Sequence, residues 1–124
     1  MLAATILRPV PTGLDYGLKA VVSSVAMETY TSGAWTVKAG EEDAFVEAWT
    51  DFVTWASSFS GSGTFRLVRD VERPNSYLSF APWDSFESQQ AWKDQPDFRE
   101  RIMRVRSHCD DFQPSTFELV TQVE

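Results

Sequence analysis

An α+β fold of the ferredoxin-like type, β-α-β-β-α-α-β with an antiparallel sheet, is what this sequence predicts, and three observations carry the prediction. The hydrophobic period changes from two across Tyr30–Val37 to 3.6 across Phe45–Ala56, as when a strand passes into a helix. Thr64–Val71 and Tyr77–Trp83 are strand-like runs joined by Glu72-Arg73-Pro74-Asn75-Ser76, whose turn chemistry predicts a hairpin. Two helical patterns then follow within Tyr77–Cys109, parted by Asp94-Gln95-Pro96.

In chain order, residues 1–26 carry Pro9, Pro11, Gly13 and Gly17 and read as an arm, leaving residues 27–124 as the domain. The arm either derives from an early start codon or lies on a partner subunit. Tyr30–Val37 is the first strand, with Tyr30 and Ser32 on one side and Trp35 and Val37 on the other. After Lys38-Ala39-Gly40, the acids Glu41, Glu42 and Asp43 suit the positive end of a helix. Its apolar stripe is Phe45, Trp49, Phe52, Val53 and Ala56, with Phe59 a turn beyond and Ser60-Gly61-Ser62-Gly63 as the stop. The hairpin strands come next. Asp84 is the expected N-cap of the second helix, with Glu87 completing a capping box and Ser85 as the other cap. Pro96 opens the third helix, and Phe98, Ile102, Val105 and Cys109 form its buried stripe. Phe112–Ser115 is read as a connection and Thr116–Val123 as the last strand.

Composition narrows the function classes. The 124 residues are 43% hydrophobic, enough for one core. A formal charge of −7 argues against a nucleic-acid surface, since four of the eight arginines sit in one helix among Asp97, Glu100 and Asp110. No run spans a bilayer, no basic start precedes an apolar leader, and the single cysteine makes no internal disulfide, so a cytoplasmic protein away from membranes is expected. One histidine and one cysteine cannot supply a metal cluster, and Gly61-Ser62-Gly63 runs from helix to strand, the wrong order for a phosphate loop. His108 is the only side chain with an unperturbed pKa near neutrality, but its place near a helix C-terminus suits dipole compensation better than base catalysis. Cys109 reads as a small hydrophobe. The strands Thr64–Val71 and Tyr77–Trp83 carry bulk on both faces, so something must cover the face that the helices leave open; sheet-to-sheet dimerisation is the simplest cover.

The run SGAWTVKAGEEDAFVEAW (Ser32–Trp49), the hairpin and WDSFESQQAWKDQPDF (Trp83–Phe98) resemble the antibiotic biosynthesis monooxygenase domains of the dimeric α+β barrel superfamily, over about Thr31 to Val123. The resemblance implies a homodimer whose sheets close into a barrel, with a pocket in each subunit between sheet and helices. Gly33, Trp35, Trp49, Val53, Trp92 and Ile102 would line that pocket around a hydrophobic aromatic small molecule. It also implies a monooxygenase that oxidises a phenol or quinol with dioxygen and no cofactor, or else a non-catalytic binding or accessory module. Aromatics at helical spacing ordinarily fill cores, so both roles stay open for the tryptophans. No catalytic residue is assigned; Trp92, His108 and Tyr77 are the candidates. In the haem-degrading branch the helix tryptophan falls on Trp92, the iron-ligating histidine on Ile102 and the strand-one asparagine on Gly33. Ile102 cannot ligate iron, so haem degradation by that scheme is not expected.

Overall fold

A computed structural model describes residues 28–124, and the arm expected over residues 1–26 lies outside them. The elements follow the predicted order: β1 (Thr29–Val37), α1 (Glu42–Ala56), β2 (Arg66–Arg69), β3 (Ser76–Trp83), α2 (Phe86–Lys93), α3 (Phe98–Arg106) and β4 (Cys109–Glu118). They build one four-stranded antiparallel sheet in the order β2-β3-β1-β4. The three helices cover one face of it.

Period-two alternation decides which side chains meet the helices. On β1, Gly33, Trp35 and Val37 are buried while Ala34 and Thr36 are exposed; on β3, Tyr77, Ser79, Ala81 and Trp83 are buried. Phe45, Trp49, Phe52 and Ala56 of α1 pack onto that inner face, as their spacing predicts, with Val105 of α3 completing the core. Phe45 is the hub, its ring 5.4 Å from Trp35 and 5.0 Å from Tyr77.

Several boundaries differ from the sequence reading. The last strand is Cys109–Glu118, not Thr116–Val123, so Phe112–Ser115 is strand and Cys109 leaves the helical stripe to open β4. The physical reason is the free side of β1, whose backbone pairs with Cys109 through Glu118 and overrides the poor strand propensity of Asp110, Asp111 and Pro114. Only Leu119 N reaches further, to Glu28 O at 3.1 Å. The expected Asp84 cap is also corrected: Ser85 caps α2, its Oγ accepting from Ser88 N at 3.1 Å, and Asp84 instead accepts from the Ser88 hydroxyl at 2.7 Å. Asp97 rather than Pro96 precedes α3, and α1 stops at Ala56, before Phe59. The hairpin forms, but its first strand shrinks from Thr64–Val71 to four residues.

Gly61 holds the junction between α1 and the sheet. Its φ of 93° is in the left-handed region, its carbonyl accepts from Asp84 N at 2.9 Å, and a Cβ there would sit 2.5 Å from Asp84 Oδ1 and 2.6 Å from Ser88 Oγ. Gly61→Ala is therefore expected to destabilise the fold by about 1–3 kcal/mol, read as a lower urea midpoint at unchanged slope. An unshifted midpoint would mean that the Asp84–Ser88 pair gives way freely.

The outer sheet face is apolar and uncovered among the described residues. Leu78 is 44% exposed and Phe117 54%, and together with Tyr30, Ala34 and Phe80 they border a shallow groove. Tyr30 lies on this face, where its hydrogen bond to Glu28, partial burial and the nearby carboxylate push its phenol up to about 12.

Candidate functional site

Between the inner sheet face and the helices lies a cavity with about 520 Å³ of empty space, its open mouth included. That is within the size range of small-molecule sites. Its floor is built on β1 and β4, where register sets Trp35 opposite Phe112. The two rings stack with centroids 4.0 Å apart. Trp35 Nε1 donates to Ser79 Oγ on β3 at 3.0 Å, which fixes the indole plane. The stack needs room beside it, and Gly33 supplies it: a Cβ there would lie 2.9 Å from both Phe112 Cε1 and Trp35 Nε1.

The helices add the walls. Trp49, Phe52 and Val53 come from α1, Trp92 and Lys93 from α2, Phe98 and Ile102 from α3. Trp92 is 4% exposed. It stacks on Trp83 at 5.2 Å and meets Phe98 edge-on at 4.9 Å. The donor of Trp83 is engaged, Nε1 to Thr31 Oγ1 at 3.1 Å, whereas Trp92 Nε1 is buried with no hydrogen-bond partner among the described residues. An unpaired buried donor costs about 1–3 kcal/mol, so such an atom calls for an acceptor. Gln89, one turn earlier and fully buried, donates from Nε2 to Thr29 Oγ1 at 3.0 Å, and its Oε1 has no partner among the described residues.

All six residues expected to line a pocket, Gly33, Trp35, Trp49, Val53, Trp92 and Ile102, border this one cavity. Of the three catalytic candidates it takes in Trp92 only. Tyr77 is buried beside Phe45 in the core, and His108 lies at the far end of α3 with Nδ1 2.9 Å from Glu41 Oε1. Cys109 is half-buried, and burial with the nearby Asp110 carboxylate pushes its thiol up to about 11, the opposite of an activated nucleophile. Two of the four arginines of α3 form surface ion pairs: Arg101 bridges Asp97 at 3.0 Å and Arg104 bridges Glu100 at 2.9 Å. The described residues hold no group of three or more His, Cys, Asp or Glu placed to bind a metal, and none of their helices is long and apolar enough to cross a membrane.

Phe112, Ser79 and Lys93 are among the lining residues that the sequence does not assign to the pocket. Phe112 follows from pairing β4 with β1 from Cys109 onward, and Ser79 from the alternation of β3. Lys93 has no signal beyond its place after Trp92. Its amine lies 3.4 Å from Thr116 Oγ1, and burial pushes its pKa below the ordinary lysine value.

The sequence matches the family model for antibiotic biosynthesis monooxygenase over residues 31–102, more than half of the chain. No curated protein matches it. Among solved structures, SnoaB from Streptomyces nogalater, a cofactor-independent oxygenase, superposes with a TM-score of 0.72 at 19% identity, covering 79% of this chain and 98% of that one. A conserved protein from Methanosarcina mazei superposes at 0.70 with 11% identity, over 77% of this chain and 96% of its own. Protein SO0527 from Shewanella oneidensis reaches 0.66 at 10% identity, over 76% and 92%.

Proposed function

The chain belongs to the antibiotic biosynthesis monooxygenase family, and from that premise we propose that it oxidises a planar phenol or quinol with dioxygen and without a cofactor. The observation that carries the proposal is Trp92 Nε1, a buried donor without a partner among the described residues, beside an aromatic-walled cavity. An aromatic ligand in the cavity would contact the side chains of Trp35, Trp49 and Trp92 and offer an oxygen to that donor. The reaction asks little else of the chain. The ionised substrate reduces dioxygen, and the apolar walls hold the pair together away from water. For an anthrone-type carbon the balance closes without a further reductant, since CH2 and O2 give C=O and H2O.

Haem degradation by the histidine-ligated scheme finds no support, because Ile102, on which the resemblance places the iron-ligating histidine, offers no donor atom. The place of the strand-one asparagine is likewise taken: at Gly33 any side chain meets the Trp35–Phe112 stack. The second reading, a binding or accessory module without turnover, is favoured by one observation: among the described residues no imidazole or carboxylate borders the cavity to act as a general base.

Oxygen-electrode assays with anthrone- and hydroquinone-type compounds, without added flavin or metal, separate the two. Substrate-dependent oxygen uptake with quinone formation is expected. Tight binding without uptake would leave the binding module. We also propose that the protein works as a homodimer joined through its outer sheet faces, on the strength of the exposed Leu78 and Phe117.

A further inference from the structure

We propose that Lys93 selects the charge state of the ligand: the cavity takes a planar aromatic whose hydroxyl is ionised, and the Lys93 ammonium pairs with that oxygen anion. This rests on the reading of the cavity as an aromatic pocket and deepens it.

The argument begins with a contrast. The chain carries a formal charge of −7, yet among the described residues lining the cavity the single charged side chain is a cation. Lys93 ends α2 next to Trp92, half-buried, with Thr116 Oγ1 of β4 at 3.4 Å as its hydrogen-bond partner. Arg101 and Arg104 of α3 are paired with Asp97 and Glu100, whereas among the described residues no carboxylate lies within 4.0 Å of Lys93. Burial alone pushes its pKa down, with no opposing acid to hold it up. A half-buried ammonium with one weak acceptor has donors to spare, since the group carries three N–H bonds. Coulombic attraction across a partly desolvated site is several-fold stronger than in water. A bound phenol therefore gives up its proton to solvent through the mouth more readily, and the oxyanion that remains is held by the ammonium. Trp92, the adjoining residue, also lines the cavity, and its Nε1 is a buried donor with no partner among the described residues.

Isothermal titration with two near-isosteric probes tests this at pH 7: 2-hydroxy-1,4-naphthoquinone, which is ionised, and 2-methoxy-1,4-naphthoquinone, which is neutral. The parent protein is expected to favour the hydroxy compound by about tenfold or more, the scale of one charge-assisted hydrogen bond. Lys93→Met should lose that preference while keeping its affinity for the methoxy compound, and Lys93→Arg should keep most of it. Retention of methoxy binding also certifies that the variant is folded. Equal affinities in the parent, or a preference that survives in Lys93→Met, would overturn the assignment of Lys93 and leave the aromatic pocket standing. Failure of both probes to bind the parent would overturn the pocket and the assignment together.

Discussion

Trp92→Ala is expected to cost about 3–5 kcal/mol of stability, the range for emptying a buried aromatic site, out of a total that for a domain of this size is about 5–15 kcal/mol. The indole is 4% exposed and touches Phe52, Trp55, Phe65, Trp83 and Phe98, so its loss leaves a hole with five aromatic sides that cannot collapse around it. Guanidinium melts would register the change as a lower midpoint. Because an unstable variant says nothing about chemistry, Trp92→Phe is the companion: it keeps one aromatic ring in the stack and removes the Nε1–H together with the second ring of the indole. If that donor holds the substrate oxygen as charge develops there, kcat should fall by about ten- to a hundredfold, the worth of a hydrogen bond to a charged group, with a smaller drop in midpoint than Trp92→Ala shows. Oxygen consumption by Trp92→Phe at the parent rate would show the donor to be unused.

Light scattering at micromolar concentration is expected to give twice the chain mass of 14.0 kDa. Leu78→Glu combined with Phe117→Glu should return it to one chain mass. Both residues lie on the outer face, on β3 and β4 respectively, and Ala34 of β1 adds to the apolar surface between them. In a two-fold pairing each new carboxylate would be desolvated and brought near its own copy, a repulsion that no rearrangement of the face relieves. A parent protein that runs as a monomer would end the dimer proposal.

The sequence made the element order legible because each change of period is backed by punctuation. Tyr30–Val37 alternates, Phe45–Ala56 recurs every three to four residues, and Pro74-Asn75 turns the hairpin. The six residues carried by the family resemblance border one cavity for the same reason: once the helices lie on the sheet, the inner positions of β1 and the facing stripe of each helix meet. What stayed hidden depends on pairing rather than pattern. β4 is a strand because β1 has a free side, and no local property of Asp110-Asp111-Phe112-Gln113-Pro114 announces it, so Phe112 was missed as the partner of Trp35. Lys93 was missed because a lysine after an aromatic is ordinary; its half-burial against Thr116 exists only when α2 meets β4. The Ser85 cap differs from the expected Asp84 by a single residue, within the fraying that helix ends allow.

Among the described residues β4 stands at the rim of the sheet, the place where edge-to-edge growth would start. A ten-residue border strand offers a row of backbone donors and acceptors to any passing extended chain. Pro114, opposite Gly33 near the strand's middle, carries no N–H to offer, and Asp110 and Asp111 put two negative charges at its start. At the other rim, β2 is four residues long and begins and ends in arginine. A foreign strand thus meets a gap and like or unlike charge before it can zip along either border, and the fibre-forming route of edge-to-edge growth is obstructed at both ends of the sheet.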